Sequence, residues 1–234
     1  MPRKETFIEK LLRRYSFQHL LVWLFLFIVA SPFLQELPHA SLVSSVFISF
    51  VLFLAVYSIN REGRLFKYLT GLMILSLMLY WIDVFDLVAF SRMASRLIIA
   101  TYLFMLVFAF TKYVFSARKV DSSLISAALC LYLLLGTLWG IIYSILELAS
   151  PGSFSGHLLS DQPHLSDRWQ HFEYFSLVTL TTLGYGDILP QTPRAAALCQ
   201  AEAVMGQFYM AVLVARLVGI QVSQEFSSSR EEKE

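Results

Sequence analysis

Thr181-Thr182-Leu183-Gly184-Tyr185-Gly186-Asp187 is the stretch on which the reading of this chain turns. Two glycines alternate with larger residues, and glycine enters the φ > 0 region without steric cost. A backbone freed in this way can aim successive carbonyl oxygens at one axis, where they replace the hydration shell of a cation. Thr182 adds a hydroxyl oxygen at the inner end of that row, and Tyr185 points outward to brace the loop. The competing reading is a glycine-rich surface turn. The surroundings decide between them.

Those surroundings are apolar. Of 234 residues, 57% are hydrophobic and 15% are charged, where a soluble domain carries roughly 25% charged residues. Mean hydropathy is +0.62, and the charge deficit is concentrated in long apolar runs, so lipid is the solvent for most of the chain. A net charge of +1 gives no reason to expect nucleic acid as a partner. Cys130 and Cys199 are far apart, which makes neither a disulfide framework nor a metal site.

Crossing the hydrocarbon core takes about 20 mostly apolar residues in a helix. Five runs before the signature qualify, at 17–34, 42–59, 68–86, 97–114 and 124–148, and one follows it at 201–222. The fold class expected is therefore an all-α membrane protein with six transmembrane helices. The stretch 150–169, with Pro151, Gly152, Gly156 and Pro163, reads as an exposed loop. A charged start before an apolar run is also the pattern of a secretory signal, but the run is long and no small-x-small cleavage site follows, so a retained helix is expected. Ahead of it, Phe7, Ile8, Leu11, Leu12 and Tyr15 share one helical face opposite Lys10, Arg13 and Arg14, which suits a helix lying in the interface.

Orientation follows from basic residues in short loops. With the N-terminus inside, Arg3, Lys4, Lys10, Arg13, Arg14, Arg61, Arg64, Lys67, Lys112, Arg118, Lys119, Arg216, Arg230 and Lys233 fall at or near the cytoplasmic side. Of the 18 lysines and arginines, only Arg92, Arg96, Arg168 and Arg194 fall outside. Both termini are expected in the cytoplasm and the glycine signature on the outer side.

Between the fifth and sixth spans the chain reads on through 167–181: Asp167 with Gln170 forms a capping-box start, and the stretch that follows is too short to span yet aromatic and apolar enough to bury. A re-entrant helix fits, because irregular backbone at membrane depth is tolerated only where protein or a water-filled cavity surrounds it. Its C-terminal end carries partial negative charge and favours a cation nearby.

Thr179-Leu180-Thr181-Thr182-Leu183-Gly184-Tyr185-Gly186-Asp187, after a short aromatic helix and before an apolar one, resembles the pore module of potassium channels over residues 124–222. The resemblance implies a selectivity filter made by Thr182, Leu183, Gly184, Tyr185 and Gly186, with K+ held at Thr182, Leu183, Gly184 and Tyr185, and Asp187 at the outer mouth. Four such loops surround one axis in that family, and the chain carries one signature, so a homotetramer is implied. No cofactor is implied beyond the permeant ion, and the setting is the plasma membrane, or the inner membrane of a bacterial cell.

The domains then divide as a cytoplasmic amphipathic segment at 1–16, a four-helix scaffold at 17–115, a pore domain at 116–224 and a short tail at 225–234. Three positions depart from the family pattern. Leu183 replaces the commoner valine but contributes only its carbonyl. Tyr174 and Phe175 stand where many members have paired tryptophans, and Val178 where some have a buried acid. In the last span Gly206 stands where the family often places a hinge glycine, with ordinary helix packing as the equal alternative. Met210, Val214, Leu217 and Gln221 share one face at 3–4 spacing and are the candidates for lining an inner cavity. Arg216 lies nearly opposite Val214, so it is expected among headgroups or neighbouring helices, its stem snorkelling.

A voltage sensor needs about 3–4 gating charges per subunit on a helical stripe. The fourth span offers Arg92 and Arg96 at its outer edge, in reach of Asp83 and Asp86, and then no base until Lys112. Weak or absent voltage gating is expected. A steeply voltage-gated potassium channel and a non-conducting modulatory subunit are the alternatives. The tail after 222 is too short for a folded ligand-binding domain and reads as disorder. Lys112, Arg118 and Lys119 either serve orientation alone or meet anionic lipid. His157, His164 and His171 recur every seven residues near Asp161, Asp167 and Glu173; solvated loop residues are the simpler reading, with pH sensing the alternative. An enzyme is not expected, because the spans lack histidine, carboxylate or cysteine clusters at catalytic spacing. A secondary transporter would show repeat-related broken segments, and none is found.

Overall fold

The computed structural model describes residues 7–34, 40–58, 64–84, 91–160 and 169–231. Arg3, Lys4, Arg61, Asp86, Asp161, His164, Asp167, Arg168 and Lys233 lie outside the described residues, as do the side chains of Lys10, Arg13, Arg14, Arg64, Asp83, Arg92 and Arg230. The architecture is α1 (Phe7–Leu34), α2 (Ala40–Tyr57), α3 (Arg64–Val84), α4 (Ser91–Ser116), α5 (Ser122–Ala149), β1 (Phe154–Gly156), α6 (His157–Ser160), α7 (Trp169–Leu180), β2 (Ile188–Pro190) and α8 (Pro193–Glu231). The six expected apolar helices are α1–α5 and α8. Among the described residues three are long and apolar enough to cross a membrane, Met93–Ser116, Ser122–Ala149 and Pro193–Gln224, and three more are shorter, Ser16–Ala30, Val46–Tyr57 and Phe66–Ile82. Residues 7–15 run without a break into α1, so the amphipathic stretch and the first apolar run form one helix.

The first four helices pack in chain order, α1 on α2, α2 on α3 and α3 on α4, and α5 joins them through α4 and α1. Aromatic rings fill much of this scaffold. Phe27 stacks on Phe47 at 5.5 Å, and Phe17 meets Phe110 edge-on at 5.5 Å. Lipid tails are as apolar as leucine, so helices in a membrane are held by close packing and hydrogen bonds rather than by hydrophobic burial. Hydrogen bonds also cross between these helices. Tyr102 on α4 donates to Leu52 O on α2 at 2.8 Å, Ser16 and Ser58 share a 2.8 Å bond, and Cys130 on α5 reaches Phe17 O. An apolar crevice lined by Leu24, Phe27, Val51, Ala55, Ile99 and Leu103 lies among these helices.

Local signals set the ends of the long helices. Asp121 is the N-cap of α5 and accepts from Leu124 N at 2.8 Å, satisfying one of the free amides of the first turn. Pro193 opens α8, where its missing N–H costs nothing, and Thr192 caps it by accepting from Ala195 N at 3.3 Å.

Of the stretch 150–169, expected as an exposed loop, the described part 150–160 departs from that expectation. β1 pairs antiparallel with β2, Phe154 opposite Pro190 and Gly156 opposite Ile188, and Ser153, Phe154 and Leu159 are buried. The cause is Glu147, near the end of α5, whose carboxylate accepts from Gly152 N at 2.9 Å and Phe154 N at 3.1 Å. That turn drives the Phe154 ring among Tyr143, Phe172 and Phe175. The all-α class therefore holds except for this short two-stranded tie.

Candidate functional site

The short helix α7 is seated by glycines. A Cβ on Gly140 would lie 2.8 Å from the Glu173 Cα and 2.9 Å from its amide nitrogen, and one on Gly136 would lie 2.6 Å from Leu177. These two positions, four apart on α5, present bare backbone to α7, the arrangement by which small residues let membrane helices approach closely. A Cβ on Gly206 of α8 would meet Leu180 O at 2.5 Å. Gly206 is thus a close-approach residue against the end of α7, and α8 passes through it without interruption. Tyr132 on α5 donates to the same Leu180 carbonyl at 3.2 Å.

From that seat the backbone turns into the signature. The last carbonyls of α7 are met by amides just beyond it: Leu177 O accepts from Thr181 N, Thr179 O from Thr182 N, and Val178 O from both Leu183 N (2.9 Å) and Gly184 N (3.3 Å). Thr182, Gly184 and Gly186 have φ of 59°, 59° and 75°. In an ordinary strand successive carbonyls point to opposite sides, whereas placing every second residue in the left-handed region turns them toward one side. Glycine adopts this φ freely, but a β-branched residue at positive φ is a real outlier. Thr182 is the one non-glycine residue with positive φ among the described residues, and such strain clusters at functional positions. The six residues Thr181–Gly186 are exposed in the single chain.

The segment after the glycines is fixed by Asp187. Its Oδ2 accepts from Tyr174 Oη at 2.5 Å and its Oδ1 from Ile188 N at 3.0 Å. The Tyr174 hydroxyl is pushed up to about 12 by burial and by its bond to the Asp187 carboxylate. Tyr174 therefore ties α7 to the end of the signature. Phe175 takes no part in that tie; it packs on Tyr143 and Phe154. Gly156 of β1 lies against the same place, since a Cβ there would meet Asp187 O.

On α8, Gln207 Nε2 points to Thr182 Oγ1 at 3.4 Å, so this face of the helix looks toward the inner end of the signature. Met210 and Val214 are exposed, and so is Gln221. Leu217 instead packs partly against the main core, so it does not share the exposure of Met210 and Val214. Arg216 is among neighbouring helices: Nη2 donates to Phe115 O at 2.7 Å and Ala117 O at 3.0 Å, and the guanidinium lies 5.5 Å from the Phe115 ring centre. It caps the C-terminal end of α4, where a cation meets the negative end of the helix dipole. Gln224 adds a second tie by accepting from Val120 N at 3.2 Å.

Three buried acids complete the surroundings, and only one was singled out by reading the sequence. Glu147 holds the turn into β1. Glu173, 4% exposed on α7, accepts from Thr137 Oγ1 at 3.1 Å; burial pushes its carboxyl up to about 7, against a smaller downward pull from that hydroxyl. Glu202 on α8 meets Ser176 of α7 and Tyr143 of α5. An acid inside an apolar run is the signal that could have flagged Glu202, because such residues mark function or pairing. Among the described residues no group of three or more His, Cys, Asp or Glu could hold a metal ion.

Residues 127–222 match a family model described as an ion channel. The match runs from the first turns of α5 through most of α8 and includes α7 and the whole signature, and it supports placing this region in an ion-channel family. No curated protein matches the chain.

Proposed function

We propose that this chain is a subunit of a potassium-selective channel that conducts K+ passively as a homotetramer. The observation that carries the reading is the alternation of positive φ at Thr182, Gly184 and Gly186, inside a region similar to an ion-channel family. Four copies around an axis would supply rings of carbonyl oxygens from Thr182, Leu183, Gly184 and Tyr185, with the Thr182 hydroxyl at the inner end. Such rings replace water around a dehydrated K+. Gly186 allows the chain to leave the filter, and Asp187, held by Tyr174, stands at the outer mouth. The end of α7 contributes partial negative charge toward the same axis.

In this reading the apolar runs supply six membrane-spanning helices, the distribution of basic residues puts both termini in the cytoplasm, and the resemblance to potassium channels suggests the plasma membrane. The exposure of Met210 and Val214 supports a cavity below the filter. Gating by voltage is weak or absent in this reading, because α4 carries no base between Arg96 and Lys112, and Arg96 is buried at 6% exposure. Lys112, Arg118 and Lys119 are exposed and available to anionic lipid.

Reconstitution of the full chain in liposomes, with reversal potentials in mixed K+ and Na+, tests the proposal. A reversal potential near the K+ equilibrium value is expected. A reversal near zero under bi-ionic conditions removes selectivity, and absent flux favours a modulatory subunit.

A further inference from the structure

Ser176 is the middle of a buried run of oxygens that touches no part of the ion path. Its Oγ lies 2.7 Å from Gly136 O on α5 and 2.5 Å from Glu202 Oε1 on α8. The other carboxyl oxygen, Oε2, accepts from the Tyr143 hydroxyl. Tyr143, Ser176 and Glu202 are each 0% exposed.

Counting protons decides the chemistry. The three contacts need three protons, a serine or tyrosine hydroxyl supplies one each, and a backbone carbonyl supplies none. Tyr143 serves Oε2. If Ser176 serves Glu202, its own oxygen and Gly136 O face each other at 2.7 Å with no proton between them, and two lone pairs repel. If Ser176 serves Gly136 O, the contact with Oε1 lacks a proton unless the carboxyl brings one. An ionised Glu202 would moreover be a buried charge facing two hydroxyls and, among the described residues, no cation, an arrangement in which the lost hydration of the ion is not repaid.

We propose that Glu202 is a neutral carboxylic acid whose proton completes the chain Tyr143–Glu202–Ser176–Gly136, fixing α7 between α5 and α8. Every donor then has one acceptor: Tyr143 O–H to Oε2, the carboxyl O–H to Ser176 Oγ, and Ser176 O–H to Gly136 O. The other titratable groups facing this site are neutral acids, Cys199 on α8, whose thiol approaches the Tyr143 hydroxyl, and Tyr132 on α5. Glu202 is a positioning residue: it acts on the ion path only through α7. Its effect on selectivity rests on the proposed channel function, whereas its proton does not.

The test is infrared difference spectroscopy on the reconstituted full chain at neutral pH, wild type against Glu202→Gln. The wild type is expected to show a protonated-carboxyl C=O band that the variant lacks. Glutamine can donate from Nε2 to Ser176 and accept from Tyr143, so it should hold the K+/Na+ permeability ratio within about twofold of the wild type, whereas Glu202→Ala, which strands both hydroxyls, should lower it about tenfold. Loss of ionised-carboxylate bands instead of the protonated band in Glu202→Gln overturns the proposal, as does a glutamine variant as impaired as the alanine one. If the wild type conducts no ions the channel reading fails, and the spectrum still decides the proton.

Discussion

The helices α1–α4 and the module α5–α8 are built from different contacts. In the first group, rings and aliphatic side chains meet over broad faces, an apolar crevice lies between them, and a neutral hydrogen bond runs from Tyr102 to Leu52 O. In the second, bare glycines meet backbone, and carboxyl groups are bonded to partners on other elements: Glu147 to the turn before β1, Glu173 to Thr137, Glu202 to Ser176 and Tyr143, Asp187 to Tyr174. Apolar contacts tolerate sliding, since lipid can replace any one of them. Glycine contacts and hydrogen-bonded acids permit one arrangement. The difference assigns geometric precision to the module that holds the signature and leaves α1–α4 as its surround.

The largest effect expected from this contrast comes at Gly184. An L side chain at its φ of 59° costs about 1–2 kcal/mol, a cost that the proposed tetramer would repeat in each copy. Gly184→Ala should abolish selective K+ flux in liposomes, and retained selectivity would break the proposed role of the backbone. Next is Gly206→Ala, whose Cβ would sit 2.5 Å from Leu180 O. Overpacking of this kind costs about 1–3 kcal/mol, so thermal unfolding in detergent should begin at a lower temperature; an unchanged midpoint would show that α7 and α8 slide as freely as the scaffold helices.

A third effect is pH-dependent. The Glu173 carboxyl is shifted upward to about 7 from an ordinary 4.5, so between those values the folded chain binds more protons than the unfolded one. Stability should fall as pH rises through that window and level off above it. Glu173→Gln should flatten the profile, and a slope that survives the substitution points to another group.

The sharpest comparison removes the same atom in both regions. Tyr174→Phe deletes a bond to a carboxylate, in a class worth about 1.5–3 kcal/mol, and should speed loss of conduction during sustained opening. Tyr102→Phe deletes a bond between scaffold helices, worth about 0.6 kcal/mol on average in membranes, and should leave currents unchanged. Equal consequences from the two would erase the distinction between the regions.

Much of this organisation is legible in the sequence. Apolar length and hydropathy mark the positions where α1–α5 and α8 stand, and a short aromatic run marks α7, because these are properties of single segments. The glycines of the signature are visible as letters, yet the positive φ of Thr182 is not, since threonine disfavours it and only the surrounding bonds impose it. Gly136 and Gly140 carry a readable small-residue spacing, but its target, the backbone of Glu173, is a tertiary fact. Glu202 is conspicuous as an acid in an apolar span, while its partners come from two other elements. The fold of Ser153 and Phe154 escapes detection because proline and glycine nearby describe a loop, and only the reach of Glu147 shows which way it turns.

The strand pair of β1 and β2 joins 154–156 to 188–190, and thereby closes the intervening chain, α7 and the signature included, into a ring with fixed ends. Closure entropy grows slowly with length, about 0.6 kcal/mol for each doubling of a flexible loop. The length of chain inside that ring therefore changes the closure term little, and opening the strand pair would release the fixed ends of α7 and the signature together.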